Sequence, residues 1–172
     1  VNNILISMSH ASNLKNLTLT DDVISINELI QNFESDIIPL MKKKNIQYKQ
    51  HLIVNNEWKV PYLKVNRILE NLFANAIQYT PKNGEILFFI EEKENYIHFA
   101  IEDSGSGIKR ENRDLVFSKH FREDISRSNS LGNAGLGLFI VKSLVDELNG
   151  KIEIVNPSIL SGTRVEFDIP YQ

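Results

Sequence analysis

GNAGLGLFIVKSL, residues 132–144, sets Gly132, Gly135 and Gly137 directly ahead of a run with helical spacing. That is the layout of a phosphate cradle, because free N–H groups at a helix start attract anions. It is neither of the two commonest cradles. Gly132 and Gly137 have P-loop spacing, but Leu138 and Phe139 stand where lysine and a hydroxyl belong. A dinucleotide turn needs GxGxxG, and the order here is GxxGxG. A glycine-rich helix start without lysine can still hold phosphate if a metal shares the charge. Otherwise it is a hinge.

The rest of the chain bounds the choice. At 172 residues, 42% hydrophobic and 24% charged, it suits one domain with a sizeable core. The net charge of −3 argues against a broad nucleic-acid footprint. There is no cysteine, which excludes disulfides and thiolate metal sites. No apolar run reaches the ~18 residues of a membrane span. A chain that opens on Val1 is expected to be a piece of a longer one.

Residues 1–17 carry Ile4, Leu5, Met8, Ala11 and Leu14 at helical spacing. A second helix reads from 27 to about 44, with Leu29, Ile30, Phe33, Ile37 and Leu40 as its stripe. Pro39 inside it predicts a kink or an early end. Residues 45–54 alternate as a strand. Residues 60–80 read as a strong helix with Pro61 in its first turn and Thr80-Pro81 at its end. Residues 84–105 read as a hairpin turning near Glu94-Asn95. A polar segment, 105–134, is of a length that marks a functional or mobile loop. A helix over 136–148 is stopped by Asn149-Gly150, and two strands close the chain. The order predicts an α/β two-layer sandwich: about three helices on one face of a mixed, largely antiparallel sheet.

Within that frame several residues can carry chemistry. Asp103 ends an apolar strand, with Gly105 and Gly107 behind it. It either accepts a hydrogen bond from a ligand amino group or closes an Asx-turn. Asn71 and Asn75 share a helix face at i, i+4. Their amide oxygens suit Mg²⁺, or they bond a neighbouring loop. Thr163, after Gly162, offers a hydroxyl to phosphate or is a turn residue. Phe117 and Phe121 staple the long loop to something, and Arg122 beside them suits phosphate or solvent. His10, His51, His98 and His120 have no metal spacing, and there is no HExxH or Ser-His-Asp pattern.

Taken in order, ENLFANAIQYTP, DSGSGI, VFSKHFR, GLGLFIVKSL and SGTRVEFDIP resemble one family: the ATP-binding catalytic domain of sensor histidine kinases, in the superfamily of gyrase B, Hsp90 and MutL. The resemblance covers roughly residues 23–170. It implies the Bergerat-type ATP-binding fold, with ATP and Mg²⁺ as ligands. Asn75 then corresponds to the Mg²⁺ ligand, supported by Asn71. Tyr79 corresponds to the aromatic near adenine or ribose, and Asp103 to the carboxylate on the adenine amino group. Gly105, Gly107 and Ile108 correspond to the first glycine box, and Gly135, Leu136, Gly137 and Leu138 to the second. Thr163 belongs to the last box. Residues 108–134 resemble an ATP lid anchored by Phe117 and Phe121, with Arg122 or Lys119 near phosphate.

The family pattern extends to domain organisation. Residues 1–22 resemble the end of a dimerisation helix and its linker, and residues 23–172 the catalytic domain. His10 is followed by Ala11 rather than an acid, so it is not the phosphoacceptor. The accepting histidine is expected on the protein's own dimerisation domain, outside this chain. A response regulator, a homodimer and a cytoplasmic position in a membrane-anchored sensor are implied with it. Two departures stand out: Gln78, where a lysine or arginine is frequent, and Asn133, where a small residue is. Sister ATPases carry a glutamate at the place of Asn71 to activate water. An amide is no general base, and Glu70 is about 100° round the helix, so phosphotransfer is favoured over hydrolysis.

Overall fold

A computed structural model describes residues 23–54, 58–119, 121 and 136–170. The elements are β1 (Val23–Ser25), α1 (Ile26–Lys43), β2 (Gln47–Ile53), β3 (Lys59–Pro61), α2 (Tyr62–Tyr79), β4 (Glu85–Glu92), β5 (Tyr96–Asp103), α3 (Gly137–Glu147), β6 (Lys151–Val155) and β7 (Arg164–Pro170). Two 3-10 turns, Arg110–Asn112 and Leu115–Phe117, lie between β5 and α3. The helix expected over residues 1–17 lies outside the described residues.

Ser25 starts α1 by accepting from the Glu28 amide at 3.2 Å, and Glu28 stands three positions on, the spacing of a capping box. Pro39 does not end the helix, which runs on to Lys43. The proline lies on the exposed side, where water can serve the carbonyl that loses its partner. α2 buries Val65, Ile68, Leu69, Leu72, Phe73, Ala76 and Ile77, the broad apolar face its spacing predicts. It begins two residues later than expected. Lys59–Pro61 instead pairs antiparallel with β1, so Pro61 precedes the helix rather than opening its first turn. α3 ends as predicted: Asn149 takes a left-handed φ of 55°, and the Gly150 amide returns to the Val145 carbonyl at 2.9 Å.

The main sheet has the order β2-β4-β5-β7-β6. β2 runs parallel to β4 and the other three pairings are antiparallel. Alternation along β4 sends Ile86, Phe88 and Ile90 into the core with α1, α2 and α3. Phe73 is the hub, edge-on to Phe33 at 4.9 Å and to Phe88 at 5.2 Å. The opposite face of the sheet carries Phe89, with the His51 ring stacked on it at 5.0 Å and the Arg164 guanidinium over it at 4.8 Å. The expected sandwich, helices on one face of a mixed and largely antiparallel sheet, is what the chain adopts. Its consequence is that the end of β5, the start of β7, the last turns of α2 and the first turn of α3 meet.

Candidate functional site

Asp103 is the last residue of β5 and is buried. Its Oδ1 accepts from the Gly105 amide at 2.8 Å and the Thr163 amide at 3.2 Å. Among the described residues no hydrogen bond is made to Oδ2, so one oxygen is fixed by the fold and the other is left to a ligand. Burial raises the Asp103 pKa above the ordinary aspartate range; the Gly105 and Thr163 amides oppose it, and the Glu102 charge adds to it.

The backbone around Asp103 is drawn tight. Gly162 donates to the Asp103 carbonyl at 3.0 Å, and Asp103 donates to the Thr163 carbonyl at 2.9 Å. A Cβ on Gly162 would lie 2.3 Å from the Asp103 carbonyl oxygen and 2.4 Å from Oδ1, so no side chain fits. A Cβ on Gly105 would meet Oδ1 and the Tyr79 carbonyl, each at 2.8 Å. This contact joins Asp103 to the C-terminal end of α2, where Tyr79 is half exposed. Gly107, at φ +75°, faces the Gly162 carbonyl, and Ile108 follows half-buried.

The other end of the site lies further back along α2. The place of a Cβ on Gly137 is 3.3 Å from Asn71 Oδ1 and 4.0 Å from Asn75 Nδ2, so the start of α3 sits directly on the amide pair. Asn71 Nδ2 donates to the Arg67 carbonyl at 2.8 Å, which turns Oδ1 towards Gly137. The Asn75 amide makes no hydrogen bond to any described residue. Leu136 is the N-cap residue of α3 and makes no side-chain cap. Among the described residues no side chain therefore caps the first-turn N–H groups. Leu138 is half-buried against the core, so only its backbone is offered. From Asn71 to Tyr79 is eight residues, about 12 Å of helix. α2 thus separates an acceptor end from an amide-rich end.

The structure brings together Asn71, Asn75, Gly137, Leu136 and Leu138 at one end, and Tyr79, Asp103, Gly105, Gly107 and Thr163 at the other. Thr163 stands beside Asp103 and is engaged with it through its amide. Phe117 packs on the core from its 3-10 turn. Phe121 is half-buried, with its amide donating to the Ser118 carbonyl at 3.3 Å. Arg122, Gly132, Asn133 and Gly135 lie outside the described residues.

Two supporting side chains escaped the sequence reading. Lys44, at the end of α1, donates through Nζ to the carbonyls of Ile77 (2.7 Å), Gln78 (3.0 Å) and Thr80 (2.6 Å), closing the end of α2. Glu102, beside Asp103 but on the other face of the sheet, has a fully buried side chain. Its oxygens accept from the Ser158 amide and hydroxyl, the Ile159 and Leu160 amides and Arg164 Nη1. Burial pushes its pKa up, but these donors outweigh it and hold the carboxyl at about 2. The signal in the sequence was an acid at an outward position of a largely apolar strand.

The catalytic domain of the histidine kinase ThkA superposes on this chain with a TM-score of 0.74 at 27% identity, covering 87% of this chain and 97% of that one. Fold and site together define a catalytic domain of the histidine-kinase kind. Sensor histidine kinase WalK of Bacillus subtilis (strain 168) is 30% identical over 141 residues, 80% of this chain and 23% of WalK. Sensor protein CiaH of Streptococcus pneumoniae is 34% identical over 92 residues, 54% of this chain and 21% of CiaH. The family described as Histidine kinase-, DNA gyrase B-, and HSP90-like ATPase matches residues 62–172, and the chain belongs to it. The chain spans less than a quarter of the length of these two curated relatives.

Proposed function

We propose that this chain binds ATP·Mg²⁺ and presents the γ-phosphate to a histidine on a dimerisation domain of the same protein, for relay to a response regulator. The observation that carries the reading is the Asp103 carboxylate: Oδ1 held by two amides, Oδ2 left as an acceptor. An acceptor there suits an exocyclic amino group such as that of adenine. Tyr79 flanks it as a ring for the base or ribose. About two turns back along α2, the uncapped start of α3 suits the phosphates.

The donor set also suits magnesium. Asn75 offers a hard amide oxygen with no described partner, and Asn71 is oriented beside it. Bound there, Mg²⁺ would neutralise triphosphate charge, which explains a cradle without lysine. Transfer of this kind needs positioning and charge neutralisation more than covalent help from the protein. Glu70 supports transfer over hydrolysis. Its oxygens accept from Asn66 at 2.9 Å and Arg67 at 3.1 Å, which occupies the carboxylate next in sequence to the position where a sister ATPase would hold its base. Residues 108–134 act as the lid, with Phe117, Phe121 and Arg122 in the roles the resemblance implies. The whole protein is read as a homodimeric sensor anchored in a membrane with this domain on the cytoplasmic side. No helix among the described residues is itself long and apolar enough to cross a membrane.

Calorimetric titration with ADP and Mg²⁺ tests the base end. Asp103→Asn should weaken binding at least ~30-fold, about 2 kcal/mol, and unchanged affinity would refute the assignment. Asn75→Ala should abolish the Mg²⁺ dependence. Joined to its helical domain, the chain should pass labelled phosphate to a histidine and on to a regulator; alone, it should not label His10.

A further inference from the structure

Glu102 and Asp103 are consecutive in β5, so their side chains leave opposite faces of the sheet. Both grip the same loop, the connection between β6 and β7. From the open face, Glu102 takes the amides of Ser158 (3.0 Å), Ile159 (2.6 Å) and Leu160. It also takes the Ser158 hydroxyl at 2.9 Å and Arg164 Nη1 at 2.9 Å. From the site face, the Asp103 side chain takes the Thr163 amide, while its main-chain carbonyl takes the Gly162 amide. The loop wraps the end of the strand and is held from both sides.

Beside Glu102, the first half of that loop is held by Arg164, whose Nη1 donates to the Ser158 hydroxyl at 3.0 Å. Ile159, its large apolar side chain, is 63% exposed, so hydrophobic burial is not the anchor. Residues 156–163 form no helix or strand. Only two residues separate Leu160 from Thr163, whose amide fixes Asp103 Oδ1.

We infer that Glu102 is a positioning residue for nucleotide binding, setting from the far face of the sheet the loop that delivers the Thr163 and Gly162 amides to Asp103. It touches no nucleotide; it acts through the loop. The inference rests on the reading that Asp103 receives the base. Without the Glu102 charge, three amides and a guanidinium lose an ionised acceptor. The loop then loosens and the Asp103 carboxylate loses its fixed orientation.

The test uses the whole 172-residue chain at a temperature well below its melting point, with ADP·Mg²⁺ as the probe. Glu102→Gln should bind ADP about 10-fold more weakly while far-UV circular dichroism stays native. The Thr163 amide proton should move upfield and exchange faster, while those of Phe88 and Ile90 inside β4 hold. A purely structural role would lower the melting temperature but leave affinity and the Thr163 signal unchanged, and that result overturns the inference. If Glu102→Gln does not fold, Ser158→Ala decides: a loss of about threefold supports the inference, and unchanged affinity overturns it. Asp103→Asn is the parallel arm. If it weakens ADP and Glu102→Gln does not, the positioning role alone fails; if Asp103→Asn binds as the wild type does, the nucleotide reading fails and takes this one with it.

Discussion

Replacing Gly162 by alanine is the sharpest perturbation of the Asp103 knot. The new Cβ would stand 2.3 Å from the Asp103 carbonyl oxygen and 2.4 Å from both Asp103 Oδ1 and the Gly105 nitrogen. Two of those atoms are backbone and the third is held by two amides, so none yields cheaply. Side-chain Cβ atoms essentially never come within 3.0 Å; the loop must retreat by the difference, about 0.7 Å. Such a retreat would stretch the Gly162 bond to the Asp103 carbonyl, now 3.0 Å, and the Thr163 bond to Oδ1, now 3.2 Å. Both would pass the range of a hydrogen bond. The neutral bond contributes about 1 kcal/mol and the charge-assisted one about 1.5–3 kcal/mol. Reduced freedom of the unfolded chain returns up to ~1 kcal/mol. The net loss is therefore about 1.5–4 kcal/mol, or roughly 3–16 °C in Tm for a chain of this size. Urea unfolding gives the stability, and ADP calorimetry should show at least ~10-fold weaker binding. Stability within ~0.5 kcal/mol of wild type together with unchanged ADP affinity would refute the close approach and the site built on it.

Gly137→Ala should behave in the opposite way. Its Cβ has 3.3 Å to Asn71 Oδ1, a contact a small side-chain shift relieves, so stability should change by less than ~1 kcal/mol while Mg²⁺-dependent ADP binding falls several-fold; parallel loss of both would count against the phosphate assignment. Acid should unfold the protein partly through Glu102. Its folded pKa of about 2 lies below the ordinary value of 4.5, so its stabilisation is complete above pH 4.5 and lost as pH falls towards 2. A Glu102→Gln variant should show a flatter stability curve across that window, and an identical slope would contradict the buried anchor. Lys44→Met removes the donor to three carbonyls at the end of α2 and should cost about 1–3 kcal/mol. An unchanged urea midpoint would mean that the contact is idle.

What was legible in the sequence was whatever residue type and local period encode. The stripe of α2, the Asn149-Gly150 stop and the β4–β5 hairpin are local, and the structure follows them. So is the outline of the candidate site: Asn71, Asn75, Asp103, Gly137 and Thr163 each mark an end or a face of an element, and their order along the chain fits one family. Val60 and Pro61, in the short strand Lys59–Pro61, fall in the expected helix because the strand's reason lies elsewhere. Its partner is Val23–Ser25, and three-residue strands leave no period to detect. The supports of the site were invisible for a deeper reason. Lys44 caps carbonyls 33–36 positions away, and Glu102 gathers donors 56–62 positions away. Most of those groups are main-chain atoms, which any residue supplies. Ser158, Ile159 and Leu160 could be exchanged for many other residues without losing the amides that Glu102 holds. A sequence pattern therefore records the acceptor, Glu102, and of its donors only the Ser158 hydroxyl and Arg164. A site of this kind is readable where side chains meet the ligand, and becomes readable only in three dimensions where side chains hold backbone.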